Sequence, residues 1–559
     1  MAEYTSRLNL YKPNRADTIP VDTSLSENFE KIDNAVEQAY QDFQKRETAE
    51  TVTVGTQGDF NSLNQALEFI TRKNSVYNSQ GLRVEVQLLS GFVLDEQVIV
   101  DGQDLGWIVI TSVDPVVMID GAGITEVVIE SRRPAFLGIN NATLPVIGVQ
   151  FDYGTGPKGD GITVAFGSKV LLLAGSGVDN AIRGLGAYYG SQAVCYMQGL
   201  TEGGAGTGAG AQRGVSFKNC TNRAFMATYS SHINCARSIL TNCSGDYAVY
   251  CIWNSSADIY QSDMSGATNT AVSSRDGSKV NARETNVSGS NRGYHALHGA
   301  TINARYYANQ WSGDGAKNCS DYAVLASYNS FIEAPSLPTD GSRMGAHASD
   351  GSIIDFTGGS ALNCTSEAVF AVRASLIEAS NVDASGSKNG FLAHAGSTVN
   401  AGASKANNCQ NGFWSKDSSK INARDSFANN CSINGYLAEF DSGINADFAE
   451  AKNSAGNGFL AQETSNIQAR SADATGAGAY GFWANRASMM NARNALANNC
   501  NTGIMAGEGS VVNAVEANAS GSTAFQIRVF RGGTISANNA VGTLSQTALT
   551  PTANGVIYQ

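Results

Sequence analysis

From residue 278 onward one phrase recurs along the chain: Ser, any residue, a β-branched or similar apolar residue, Asn, Ala. It reads Ser278-Lys279-Val280-Asn281-Ala282, Ser397-Thr398-Val399-Asn400-Ala401, Ser419-Lys420-Ile421-Asn422-Ala423 and Ser442-Gly443-Ile444-Asn445-Ala446. It returns at Ser488-Met489-Met490-Asn491-Ala492 and Ser510-Val511-Val512-Asn513-Ala514, and variants fill the gaps at Asn303, Glu333, Asp355, Glu378 and Gln468. Steps from Asn281 to Asn513 are 22 or 23 residues, apart from one of 30 that carries an insertion. An aromatic stands nine residues before the Asn position at Phe225, Tyr294, Phe391, Phe413, Tyr436, Phe459 and Phe482. An Asn-Cys step precedes it by thirteen or fourteen, as at Cys364, Cys409, Cys431 and Cys500.

Few folds tolerate this period with this composition. Leucine-rich repeats share the length, but their LxxLxL consensus is missing, and helical repeats need about 33 residues of good helix formers. The spacing predicts an all-β fold, a single-stranded right-handed parallel β-helix with one coil per 22–23 residues. Alternation along each strand sends Val, Ile and Ala inward and Asn outward. Glycine and asparagine supply the positive φ angles of tight corners. Residues 85–540 then form about 20 coils, a rod on the order of 95 Å long at about 4.8 Å per coil.

Composition narrows the function classes. The 559 residues carry 37 basic and 49 acidic side chains, a net charge of −12, with no basic stripe for nucleic acid. No apolar run reaches the roughly 18 residues of a membrane span, so no membrane insertion is expected. The N-terminus lacks the apolar core of a secretory signal. Ten cysteines without a CxxC pair and five scattered histidines argue against a metal site, and no cofactor is expected. The thiols are expected to be reduced core residues.

The chain divides into residues 1–50, a segment of different character; 51–84, a β-helix opening and cap with a short helix; 85–540, the β-helix; and 541–559, a C-terminal tail or cap. Leu25, Phe29, Ile32, Val36, Ala39 and Phe43 follow a heptad pattern, with Ser24 and Glu27 as a capping box. Either one amphipathic helix resting on its own domain or a short coiled coil joining copies fits it. Val52 to Leu67 predicts a strand, a Gly-rich turn and a helix from about Ser62.

The phrase Val52-Thr53-Val54-Gly55-Thr56-Gln57-Gly58-Asp59-Phe60-Asn61-Ser62-Leu63 resembles the opening of pectate-lyase-like β-helices in bacteriophage tailspikes and related polysaccharide-acting proteins. Leu8-Asn9-Leu10-Tyr11-Lys12-Pro13, with Leu25-Ser26-Glu27-Asn28-Phe29-Glu30-Lys31-Ile32-Asp33, resembles the start of tail-fibre proteins from phages of Gram-positive bacteria. The two stretches span about 60 residues, and the resemblance marks no catalytic site. It implies a virion tail protein, a homotrimer assembled in the host cytoplasm, joined to tail or baseplate proteins through residues 1–50. The partner at the host is then a bacterial surface polysaccharide.

Candidate chemistry sits in the outward Asn column, where Glu333, Asp355 and Glu378 replace Asn in three consecutive coils. Stacked about 4.8 Å apart, neighbouring carboxylates approach the separation of about 5 Å used by retaining glycosidases. These three are the candidate catalytic residues; a ladder position that tolerates Asn, Gln, Asp and Glu alike is the plainer account. Trp311 and Asp314 in the 30-residue step, with Arg343 and Arg373, are candidate substrate-binding residues, and His347 adds charge nearby. The Gly-rich stretch from Gly199 to Gly210 fits an excursion between coils rather than a phosphate loop. Tyr188, Tyr189 and Tyr196 before it either pack it down or form an exposed binding patch. Three functions stay open: attachment to the host surface, glycan depolymerisation, and a structural rod carrying another adhesin.

Overall fold

In a computed structural model of the chain, residues 3–4, 11–12, 51–73, 84–125, 132–196, 214–307, 313–546 and 555–559 are described. From residue 51 on, the paired strands are parallel and run in one direction of winding, a parallel β-solenoid. One sheet of 19 long strands runs from Val98–Asp101 to Leu544–Gln546, and a second of 21 shorter strands from Thr51–Val54 to Val556–Tyr558. The third side begins as a four-stranded sheet and continues as single parallel bridges, Gly177 to Ser216, Ile239, Asp263 and Asn286, then Pro338 onward to Val541. Glu3–Tyr4 and Tyr11–Lys12 form a separate antiparallel pair. The heptad segment and its capping box, the Gly199–Gly210 stretch and Trp311 lie outside the described residues.

The recurring phrase is the short strand with its flanks. Val280, Ile302, Ile332, Ile354, Ile377, Val399 and Ile421 stack in register, all at most 2% exposed, and the Ala after each Asn closes the same core. The serine has a job that alternation alone does not disclose. It is buried, and its hydroxyl accepts the backbone N–H of the equivalent serine one coil earlier. The chain of bonds runs from Ser352 through Ser375, Ser397, Ser419, Ser442, Ser465 and Ser488 to Ser510, at 3.0–3.3 Å. Each bond satisfies a corner N–H that the sheet ladder cannot reach.

Inside the long strands Phe391, Phe413, Tyr436, Phe459 and Phe482 form one parallel stack, with centroids 4.6–4.9 Å apart and planes within 5°. The preceding glycine faces inward as well: a Cβ on Gly412 would stand 2.5 Å from that of Ala428 and 2.6 Å from the Gly435 carbonyl oxygen. The first residues of these strands make a second ladder, in which Asn411, Asn434 and Asn457 each donate to the Asn one coil earlier at 2.8–3.0 Å.

The helix from Leu63 to Lys73, α1, lays Leu63, Ala66, Leu67 and Ile70 into the core beside the first strand. Glu96 caps it, accepting from the backbone N–H of Leu63 at 2.6 Å and of Asn64 at 3.2 Å, and from the Ser62 hydroxyl at 2.7 Å.

The cysteines correct one expectation. In seven of the eight Asn-Cys steps the Asn takes a left-handed φ of 55–59° and the cysteine is a buried free thiol. Asn234-Cys235 departs from this. Asn234 lies in the short-strand sheet opposite Val194, so Cys235 falls opposite Cys195 with Cα atoms 4.8 Å apart, and the two form a disulfide. The bond ties together two paired short strands across a sequence separation of 40 residues.

Candidate functional site

One corner of the coil, the residue that follows each long strand, sets the surface chemistry of the molecule. The backbone turns there through a left-handed residue: Phe166, Tyr189, Tyr229, Trp253, Asp276, His298, Tyr328, Asp350, Arg373, Ala395, Asp417, Phe440, Glu463 and Arg486 have φ of 50–57°. Left-handed backbone suits Gly and Asn; it costs a bulky side chain roughly 1–2 kcal/mol. In the early coils, large aromatics nevertheless occupy the position consecutively.

These rings stack on one another in solvent. Phe166–Tyr189 centroids are 4.8 Å apart with planes at 8°, Tyr189–Tyr229 are 4.5 Å apart at 9°, and Tyr229–Trp253 are 4.3 Å apart at 29°. Phe166 is 45% exposed, Tyr229 37% and Trp253 42%. The run stops at Asp276, whose Oδ1 stands 2.9 Å from Nδ1 of His298, and His298 in turn meets the half-exposed ring of Tyr328 at 5.0 Å. Strained backbone that persists beneath an exposed aromatic run is a pointer to function. Of the tyrosines left open by the sequence, Tyr189 belongs to this exposed run, while Tyr188 is buried beneath the guanidinium of Arg132 at 4.1 Å.

Five residues beyond the corner lies the outward column that holds the predicted acids. Glu333, Asp355 and Glu378 are in-register neighbours on the short-strand sheet, all half-buried. Each is engaged along the ladder or by its own turn: Glu333 pairs with Arg305, Asp355 accepts the Thr357 N–H at 3.1 Å, and Glu378 accepts from Asn400 at 2.9 Å. The Arg column two residues beyond Asn likewise finds acids, as in Arg470 to Asp447 at 3.0 Å and Arg493 to Glu516 at 3.3 Å. Asp258 in the same column is distinct. Burial raises its carboxyl above the ordinary range, against the backbone N–H of Tyr260 and the charges of Arg283 and His232, and Asn281 donates to it at 3.0 Å.

Arg343 and His347 lie on the other side of the corner, on the outer face of the long-strand sheet. Asp321 accepts from Arg343 at 2.7 Å and from Arg292 at 3.1 Å, and the Arg343 guanidinium lies 5.2 Å from the Tyr322 ring. His347 stacks on Phe370 at 4.8 Å and tilts against Tyr322 at 5.1 Å. Burial, and after it the Arg373 charge, push its imidazole down to about 4. Burial and then Arg292 push His295, two coils earlier in the same outer column, down to about 3. Arg373 itself sits at the corner, donating to Asp350 at 3.0 Å. Asp314 is exposed beside Tyr306, whose hydroxyl is raised by burial first and by the Asp314 charge second. The predicted residues therefore fall on two faces and the corner between them: the three carboxylates on one face, Arg343 and His347 on the other.

Trp253, Asp276, His298 and Asp258 were not singled out from the sequence. The signal for the first three is positional, since the corner always stands five residues before the Asn column, as Trp253 does before Asp258. Among the described residues, no group of three or more His, Cys, Asp or Glu is placed to hold a metal ion, and no helix is long and apolar enough to cross a membrane.

No family model matches the chain, and no curated protein matches it. Among solved structures, the PL6-family alginate lyase AlyGC aligns over 89% of this chain and 100% of its own, at 8% identity and a TM-score of 0.24. The likeness is too remote to bring that protein's chemistry to this chain.

Proposed function

We propose that this protein is a phage tail fibre or tailspike component, a homotrimer joined to the tail through residues 1–50, that attaches the virion to polysaccharide on the host surface. The exposed aromatic run at the corner, Phe166, Tyr189, Tyr229 and Trp253, is the observation that carries the attachment reading. Sugar rings present patches of C–H that pack on aromatic rings, while their hydroxyls take hydrogen bonds from neighbouring polar side chains. A rod with such a column offers a polymer a track parallel to its own axis. The resemblance of the segments around Leu8–Asp33 and Val52–Leu67 supplies the viral context.

The test is sedimentation of the purified full chain with host cells before and after their surface polysaccharide is stripped. Binding that disappears with the polysaccharide, and in Tyr229→Ala/Trp253→Ala, supports attachment through this corner; binding that ignores both changes overturns it.

Depolymerisation is the second reading, favoured by the in-register carboxylates Glu333, Asp355 and Glu378. Incubation with cell-wall and capsular polysaccharide, following polymer size and new reducing ends, decides it. Cleavage lost in Asp355→Asn or Glu378→Gln would assign the site to this ladder, and unchanged polymer would leave attachment alone.

A further inference from the structure

The corner column is a stack with one layer missing. Each coil from Phe166 to Trp253 contributes a ring to it, and the ring spacing of 4.3–4.8 Å is that of the coils themselves. The next coil contributes Asp276, and the coil after that returns to rings with His298, followed by Tyr328. The face of Trp253 turned away from Tyr229 therefore has no ring above it, although Trp253 and His298 lie only two coils apart. Between the Trp253 indole and His298 the column holds only the shorter side chain of Asp276, and we read this missing ring as a slot one layer high beside its carboxylate. The carboxylate is held by the His298 imidazole through Oδ1, and its second oxygen has no described partner.

We infer that this slot is a saccharide subsite that takes one neutral hexopyranose unit of a surface polysaccharide as the missing layer of the stack. This rests on the attachment reading and names the sugar class it recognises. The C–H face of the pyranose packs on Trp253, while Asp276 accepts hydrogen bonds from its hydroxyls, stronger for being charge-assisted. A uronic acid is disfavoured, because its carboxylate would meet Asp276 in a molecule that already carries a net charge of −12. The slot also explains why an acid interrupts an otherwise aromatic run: a fifth ring would cover the face of Trp253 turned away from Tyr229. Later in the column Phe440 stands between Asp417 and Glu463 in an open hollow that these residues line with Asp441 and Thr464, so Phe440 is the control position for sugar binding elsewhere along the corner.

The substitution Asp276→Phe separates binding from folding, since it completes the stack instead of removing part of it. The probes are methyl glucopyranoside, methyl galactopyranoside and N-acetylglucosamine against glucuronate, read by saturation-transfer NMR on the full chain, alongside sedimentation with host cells. At least one neutral sugar is expected to give a signal that is lost in Asp276→Phe, weakened about tenfold in Trp253→Ala and retained in Phe440→Ala, while glucuronate gives none. A neutral-sugar signal that survives Asp276→Phe, or the absence of any neutral-sugar signal with the unsubstituted protein, overturns the subsite. Trp253→Ala decides the matter if the thermal midpoint shows that Asp276→Phe fails to fold. Cells that bind unsubstituted and Asp276→Phe protein equally would leave attachment standing and remove the slot. Failure of the unsubstituted protein to bind cells would remove attachment, with the soluble sugars still judging the slot.

Discussion

Coils in the early part of the molecule and those of residues 389–485 have the same backbone and opposite distributions of order. In the later region the rings inside run parallel within 5°, and the corner outside carries acids and bases such as Glu463 paired with Arg486. In the early region the interior rings meet at odd angles, Phe136 with Phe151 at 53° and Phe217 with Phe225 at 71°. There it is the corner outside that stacks its aromatics face to face. A constant rise per coil stacks any residue that repeats in register, and the column decides whether the stack stabilises the core or faces solvent. The later region spends its regularity on folding, and the early region presents it to a partner.

The largest expected effects would test that division directly. Phe413→Ala removes one ring from the interior stack and is expected to cost about 3–5 kcal/mol in chemical denaturation. Trp253→Ala, which leaves the core untouched, should cost less than about 1 kcal/mol while weakening cell binding about tenfold. Equal stability losses for the two would break the contrast between inside and outside.

The disulfide sharpens it next. Cys195→Ala/Cys235→Ala should lower stability by about 2–4 kcal/mol. Hydrogen exchange is expected to speed up in the coils around residues 160–260 and to remain unchanged from 389 to 485. Uniform acceleration along the rod would mean that the two regions open as one unit.

A pH series tests the outer face between them. His347 and His295 titrate near 6.5 when unfolded, but in the folded chain burial and the neighbouring arginines lower them to about 4 and about 3. Below pH 6.5 the unfolded chain binds protons that the folded chain refuses, so stability is full above that pH and falls as the pH drops toward 4. The slope is expected to be on the order of 1 kcal/mol per pH unit for each histidine, and His347→Phe should flatten it. An unaltered slope in that variant would show that other groups dominate.

The smallest effect concerns the corner backbone. Phe440→Asn puts a residue that tolerates left-handed φ where a bulky one now stands, and should gain about 0.5 kcal/mol by thermal denaturation. A loss instead would mean that Phe440 packs usefully despite being half exposed.

The fold was legible in the sequence because interior columns repeat chemical type: Val or Ile, Ala, Cys and the ring all recur at fixed offsets, since each must fill the same space in every coil. The carboxylate ladder was legible for the same reason, as departures from a visible Asn column. The Arg305 partner of Glu333 was hidden by the 30-residue step that separates their positions. The disulfide was hidden because Asn234-Cys235 spells the same dipeptide as seven core steps, and only its place on the short-strand sheet sets it apart. The corner was hidden for a different reason. Trp253, Asp276, His298, Arg373 and Ala395 share a backbone conformation and no chemistry, so no column of like residues draws the eye.

The serine ladder has a consequence for how such a chain can vary. Every rung offers the hydroxyl its predecessor needs and receives the same from its successor, so neighbouring rungs are interchangeable. Excising residues 443–465 would set Asn466 where Gly443 lies, and Ser442 would find Ser488 where it now meets Ser465. Reach is then a counted quantity, altered in whole steps of about 4.8 Å, and a lineage can lengthen or shorten the rod while carrying its working surface along intact.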